Sequence, residues 1–139
     1  MLGGRENIQE IEENEIDDLE ICRVRGFHDL GNIAKFRALT SLKVEDQAQL
    51  RNIGFERGME ALEEITISNC KSLARLSGMW RLPSLRRLRI FKTAIDYDSF
   101  IRQKLPSALS QLEFMTSKSK ADQEIQDSLL KLGFQKWSI

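Results

Sequence analysis

Few side chains in this 139-residue sequence have the types and the spacing that catalysis or metal binding requires. The single histidine, His28, follows Phe27 and has no second histidine as a partner. The two cysteines, Cys22 and Cys70, form no cluster with the spacing of zinc ligands. No phosphate-binding glycine loop and no G-x-S-x-G motif occurs. The sequence therefore predicts a protein that is not an enzyme, with no cofactor and no small-molecule substrate.

Asp96 and Asp98 are the carboxylates that come closest to a reactive pair, since they flank Tyr97. They could bind a cation, but no further oxygen ligands follow at the spacing of a calcium loop. We interpret the trio as a remodelled, solvated turn. An enzyme site around it remains the third of three functional hypotheses.

The cysteines are too few for a disulfide framework. Cys22 falls in the first predicted strand and Cys70 follows the third, which places them roughly 10 Å apart. A disulfide requires Cα atoms within about 7 Å of each other. We expect both thiols to be reduced, with Cys70 packed under a turn and Cys22 facing the surface.

The overall composition favours no class of partner, because 21 basic residues balance 21 acidic ones. No apolar run approaches the ~18 residues that cross a bilayer. The first residues, MLGGRENIQEIEEN, lack the basic and apolar regions of a secretory signal. We expect a cytoplasmic protein without a membrane partner, and its length fits a single domain.

A pattern of apolar residues, L-x-x-L-x-I, recurs along the chain and organises it. It starts at positions 16, 39, 62, 85 and 109, so the interval is constant until the last step, which is one position longer. The copies are Ile16/Leu19/Ile21, Leu39/Leu42/Val44, Leu62/Ile65/Ile67, Leu85/Leu88/Ile90 and Leu109/Leu112/Phe114. Apolar residues also recur at the twelfth, fifteenth and twenty-first places, except where Asp96 and Ser99 interrupt the fourth copy.

An amphipathic helical protein is the alternative interpretation, because Leu39 and Leu42 also fit one helix face. Two features favour strands. The last two apolar residues of each copy alternate with period two, and the run from Ile65 to Ile67 is β-branched. We therefore expect one strand in each copy, with the alternating apolar residues stacked in one core.

The strand pattern, together with Cys70 at the ninth place of LEEITISNCKSLARL, resembles the leucine-rich repeat family. The block LEEITISNCKSLARLSGMWRLPSLRRLRI is most similar to repeats of plant disease-resistance receptors and to cysteine-type repeats. The resemblance covers about residues 16–115 and implies an α/β leucine-rich repeat solenoid with parallel strands. The ninth place departs from the usual asparagine, since the other copies have Val24, Gln47 and Thr93 there.

The resemblance divides the single domain, residues 1–139, into three parts. An N-terminal cap takes residues 1–15, five repeats take 16–115, and a C-terminal cap takes 116–139. The acidic residues of the first twenty positions fit a polar cap better than a docking arm. In the C-terminal cap we expect a helix over residues 120–132, begun by Ser119 and ended by Gly133. Ile125, Leu129 and Leu132 would share one face, and residues 134–139 would cover the last strand.

The strand residues that point away from the core would line a concave face, the usual recognition surface of repeat proteins. Those we select as partner-binding residues are Glu20, Lys43, Glu45, Glu64, Thr66, Arg87, Arg89, Phe91 and Glu113. The face would run from acidic in the first copy to basic in the fourth. Phe91 fits an interface hot spot, or it packs against Met115, and the sequence favours neither.

The leading functional hypothesis is a non-enzymatic module that binds a partner protein on this concave face, partly through charge. It could be a small stoichiometric inhibitor of the immunity-protein type, or a receptor or adaptor fragment. The alternative is nucleic-acid binding through the basic patch of the fourth repeat, within residues 71–104. Interleaved acids and few stacking aromatic residues count against that alternative.

Overall fold

A computed structural model describes residues 17–22, 33 and 36–136 of the chain. They form a mixed α/β architecture with a five-stranded and a two-stranded parallel sheet. The large sheet has the order β1 (Asp18–Cys22), β2 (Ser41–Glu45), β4 (Glu64–Cys70), β6 (Arg87–Thr93) and β7 (Gln111–Met115). The small sheet pairs β3 (Asn52–Gly54) with β5 (Arg75–Ser77). A 3₁₀ turn covers Met79–Arg81, and two helices follow, α1 (Tyr97–Arg102) and α2 (Ser119–Lys131).

Several predictions concern residues outside this description. They are the N-terminal cap at residues 1–15 and the side chains of Ile16, Val24, Phe27 and His28, together with Trp137 and Ile139. Within the described ranges, no helix is long and apolar enough to cross a membrane.

The strands of the large sheet pair in the register that the sequence period predicts. Leu19 lies opposite Leu42, Leu42 opposite Ile65, and Ile65 opposite Leu88, so each step along the sheet is one period of the sequence. The final step, from Leu88 to Leu112, is longer by one position, as the sequence pattern is. All five side chains are at most 3% exposed and belong to one hydrophobic cluster. The predicted core column is therefore confirmed.

The chain between consecutive strands also packs according to the apolar period. Ile53 and Leu76 lie opposite each other in the small sheet and are buried. At the twelfth and twenty-first places of the repeat, the buried side chains are Leu50, Leu73, Phe36, Met59 and Leu82. Their burial completes the core beneath the large sheet, because they belong to the same hydrophobic cluster as the strand residues.

The segment after β6 departs from the predicted turn, because it is the helix α1. Asp96 is the N-cap residue, and its carboxylate accepts hydrogen bonds from the backbone N–H and the hydroxyl of Ser99. Ile95 and Phe100 are buried beside the two polar interruptions and supply the missing core contacts. A helix forms because an aspartate in the capping position satisfies amide groups that a turn would leave to solvent.

The C-terminal helix α2 begins differently from the prediction. Its N-cap residue is Lys118, and Ser119 makes no capping hydrogen bond. Instead, Asp122 Oδ1 accepts hydrogen bonds from the backbone N–H and the hydroxyl of Thr116, which ties the first turn to the end of β7. The predicted capping role of Ser119 is wrong, because this carboxylate reaches the preceding loop directly.

The apolar face of α2 is narrower than predicted. Leu129 is buried and Ile125 packs against the core, but Leu132, predicted on the same face, is 58% exposed. Leu132 is the C-cap residue of α2. Gly133 ends the helix with φ = 96°, as predicted.

The chain after Gly133 returns to the edge of β7, as predicted. Gln135 forms a parallel bridge with Gln111. Its backbone N–H donates to Ser110 O and its carbonyl accepts from Leu112 N. This part of the tail therefore covers the edge of the last strand.

Three residues with left-handed backbone lie at equivalent places near the ends of β2, β4 and β6. Asp46, Asn69 and Lys92 have φ of 54°, 53° and 53° and follow one another at the period of the apolar pattern. Aspartate and asparagine tolerate this conformation, and Asn69 Nδ2 also donates to Asp46 Oδ1 at 2.7 Å. Lysine has neither advantage, so the strain is greatest at Lys92.

Replacing Lys92 by asparagine is expected to raise the free energy of unfolding by about 0.5–1 kcal/mol, because part of the left-handed penalty is removed. Urea unfolding followed by circular dichroism measures the change. Lys71→Asn is the matched control, because this lysine is also exposed but its φ is not positive. An equal gain in the control would show that the effect comes from charge and not from backbone strain.

Candidate functional site

The candidate site is the side of the five-stranded sheet that faces away from the core, which we call the polar face. Its residues are Asp18, Glu20, Cys22, Ser41, Lys43, Glu45, Glu64, Thr66, Ser68, Arg87, Arg89, Phe91, Gln111, Glu113 and Met115. Buried and partly exposed residues alternate along β2 and β6, so successive side chains reach opposite sides of the sheet.

Eight of the nine predicted partner-binding residues have the expected partial exposure; the ninth, Glu113, does not. Glu113 is only 4% exposed, so its prediction as an accessible contact residue is wrong. Arg89 on the neighbouring strand lies opposite Glu113 and its guanidinium covers the carboxylate. Glu113 therefore forms a cross-strand ion pair where a surface contact was predicted.

Ion pairs, two between neighbouring strands and one within a strand, connect the charges of the polar face. Arg87 Nη1 donates to Glu64 Oε1 at 2.8 Å, between register partners on β6 and β4. Arg89 Nε lies 3.4 Å from Glu113 Oε2, with 17% and 5% of the two side chains exposed. On β2, Lys43 Nζ lies 3.4 Å from Glu45 Oε1. Every lysine and arginine of the polar face therefore has a carboxylate beside it.

The same pairing extends to the rim of the sheet. Arg86 Nη2 lies 2.9 Å from Glu63 Oε1, just before β6 and β4 begin. The predicted basic character of the fourth strand is therefore neutralised by acidic residues of its neighbours. Pairs that are this exposed add little to stability, but they remove most of the positive field that a phosphate backbone would need.

The β1 end of the polar face is acidic. Asp17 and Asp18 are exposed, and Glu20 is half-buried. None of the three forms an ion pair with a residue that the structure describes. Among the described residues, the β1 end therefore carries unpaired negative charge, as predicted.

The corner of the polar face where β6 and β7 end is apolar. Phe91 and Met115 are register partners on β6 and β7, and Met115 is 42% exposed. The guanidinium carbon of Arg89 lies 5.3 Å from the centroid of the Phe91 ring. Phe91 thus lies opposite Met115 and also remains partly open to solvent. The register pairing agrees with the expected contact with Met115, and a role of Phe91 as an interface hot spot stays a prediction.

Both cysteines are free. Cys70 is buried, and its Sγ lies 3.5 Å from Ser68 O and 3.9 Å from Val44 O. Burial raises the pKa of the Cys70 thiol above its ordinary value, and this protects it from reaction. Cys22 is half-buried, with Sγ 3.9 Å from Asp46 Oδ2. Cys70 is therefore a core residue, as expected.

No group of three or more histidine, cysteine or acidic side chains in the described ranges is arranged to hold a metal ion. Asp96 caps α1, and Tyr97 packs edge-on against Phe114 and shares a hydrogen bond with Ser128 of α2. These residues connect two helices to the core, which is a structural role.

An exposed tryptophan lies outside the polar face and was not anticipated. Trp80, in the 3₁₀ turn, is 49% exposed. Arg81 Cζ lies 4.7 Å and Lys104 Nζ 5.5 Å from the centroid of its ring. The sequence contains a signal for this contact, because Trp80 and Lys104 have the same separation along the chain as Leu88 and Leu112.

Comparison of the chain with known protein families, with curated proteins and with solved structures finds no match.

Proposed function

We propose that the chain is a leucine-rich repeat solenoid whose polar face is concave and binds a partner protein, without catalysing a reaction. The observation that carries the proposal is the constant register. Each polar-face side chain of β2 lies beside the equivalent residue of the next copy on β4, so the side chains form continuous rows across the strands. Such rows are typical of recognition surfaces in repeat proteins.

The internal ion pairs also support binding as the role of this face. Arg87 and Arg89 are held against carboxylates, so less side-chain freedom is lost when a partner docks. Between the acidic and apolar ends, Ser41, Thr66 and Ser68 are small and leave room above the sheet. In a cytoplasmic setting, the protein would act as a small inhibitor of the immunity-protein type or as part of a receptor or adaptor.

Nucleic-acid binding through the fourth strand is supported less well. Arg86, Arg87 and Arg89 each have a carboxylate partner. Of the cations in and beside β6, only Lys92 has no carboxylate partner among the residues that the structure describes. Affinity for a phosphate backbone grows with the number of cations that are available to it.

Thr66→Trp is the test of the proposed face. Thr66 lies on β4, the central strand of the five, and carries no charge, so a bulky side chain there blocks the face without removing a member of an ion pair. Reversing Arg87 and Arg89 is a poorer test, because it would place new carboxylates beside Glu64 and Glu113. Tryptophan is also well tolerated in strands.

The measurement is affinity capture from the native cell, with wild-type protein and variants at equal loading. Capture of a specific protein should be lost with Thr66→Trp and kept with Ser72→Trp, which changes an exposed residue off the polar face. Thermal unfolding confirms that both variants are folded. Equal capture by all three proteins would contradict binding on this face.

A further inference from the structure

We infer that the polar face binds a basic, extended peptide segment that carries an apolar side chain about five residues from its basic end. This inference rests on the proposed function and specifies the partner's chemistry. The sequence analysis expected a partner protein bound partly through charge and did not specify the sign of the partner's charge.

Negative charges outnumber positive charges on the polar face. The face carries five carboxylates and three cations, and each cation lies beside one of those carboxylates. The two that remain are Asp18 and Glu20, both on β1, and the exposed Asp17 precedes them. Among the residues that the structure describes, the net charge of the face is therefore negative and is concentrated at the β1 end. It attracts lysine and arginine and repels acidic segments.

An apolar contact surface lies at the end of the polar face opposite β1. Met115 is 42% exposed beside its register partner Phe91. Aromatic residues and methionine are enriched at binding surfaces, where they contact apolar side chains of a partner. Arg89 is already held by Glu113, so its stem and guanidinium form one wall of this contact. An aliphatic or aromatic anchor fits this place, and a charged one does not.

The distance between the acidic end and the apolar end sets the length of the peptide segment. Glu20 and Phe91 are three strands apart, or about 14 Å, and differ by two residues along the strand direction, or about 7 Å. The diagonal is therefore about 16 Å, which an extended chain spans in about five residues.

The size of the face favours a segment over a folded surface. Four strand spacings and a five-residue strand give an area on the order of 300 Å², well below the ~800 Å² that one partner contributes to a standard interface. An extended segment lying across the strands can span the face from one end to the other. Its basic end would lie over β1 and its apolar side chain over Phe91 and Met115.

A display library of random 12-residue peptides, selected on the immobilised full chain, tests the inference. The selected peptides should be enriched in lysine or arginine with an apolar residue about five positions away. Affinities of the best synthetic peptide are then measured by fluorescence anisotropy. The double variant Asp18→Lys with Glu20→Lys should weaken binding about tenfold at low salt, because it turns an attractive field into a repulsive one.

The matched control is Glu56→Lys with Glu60→Lys, which makes the same change in net charge at exposed residues off the polar face. It should change the affinity less than about twofold. A milder pair, Asp18→Asn with Glu20→Gln, avoids new repulsion with Lys43, the register partner of Glu20, and should weaken binding about threefold.

The outcomes separate the inference from the proposed function. Enrichment of acidic peptides, no enrichment, or affinities unchanged by the β1 variants would overturn the inference. If peptides are selected but are acidic or insensitive to the β1 variants, and Phe91→Ala and Thr66→Trp abolish their binding, the polar face remains a binding surface for a different partner. Peptides insensitive to all of these changes would overturn both.

Discussion

Gly78→Ala is expected to lower the free energy of unfolding by more than about 4 kcal/mol, an exceptionally large loss for one methyl group. Gly78 has φ = 74°, and a Cβ atom there would lie 2.2 Å from Phe55 O and 3.0 Å from two further backbone atoms of Phe55. The carbonyl cannot easily move, because it also accepts a hydrogen bond from Arg81 Nη1 at 2.9 Å. Phe55 N donates to Ser77 O and continues the small sheet.

Gly133→Ala is the matched control for this prediction. Gly133 also has a positive φ, of 96°, but a Cβ atom there meets nothing within 4 Å. The loss of unfolding free energy in Gly133→Ala should therefore be the conformational penalty alone, about 1–2 kcal/mol. Urea unfolding of both variants measures the difference. Similar small losses would mean that the segment around Phe55 yields readily and that the close approach is not essential.

Leu88→Ala is expected to cost about 3–5 kcal/mol of unfolding free energy. Leu88 is fully buried in β6, and its register partners Ile65 and Leu112 are buried on both sides. Strands on either side hold the backbone in place, so the cavity left by the smaller side chain cannot collapse. The midpoint of urea unfolding should fall while its slope stays constant.

Leu130→Ala is the control for the core prediction, because Leu130 is 55% exposed on α2. Its expected effect is within about 0.5 kcal/mol. A Leu88→Ala loss as small as this would mean that β6 is not part of a continuous core, and the stacked register would then need revision.

The strand positions and the core column could be predicted because one physical requirement fixes both. A parallel strand that buries one side must alternate its apolar residues, and similar neighbours must repeat that alternation at a constant interval. Ile65, Leu88 and Leu112 met both conditions. The helix α1 escaped prediction because Asp96 interrupts the apolar pattern, and its capping hydrogen bond to Ser99 N depends on local backbone geometry.

The exposure of the polar face was predicted well, and its electrostatics were not. Counting charges along each strand made the fourth strand basic, but Glu64 and Arg87, one period apart in sequence, are neighbours in space. The same interval that locates the core also identifies this pair. Applying it to charged residues would have indicated neutralisation. The burial of Glu113 additionally depends on how the Arg89 side chain lies over the sheet, which no pattern of residues specifies.

The bridge between Gln111 and Gln135 has a consequence for self-association. A parallel sheet with an open last strand offers its backbone amides and carbonyls to any identical molecule, and such head-to-tail addition can continue into fibres. Here Leu112 N and Ser110 O are already engaged by Gln135. A second molecule that approaches the start of β7 therefore meets two backbone groups that are already hydrogen-bonded, and polymerisation from this part of β7 is opposed by a short stretch of tail.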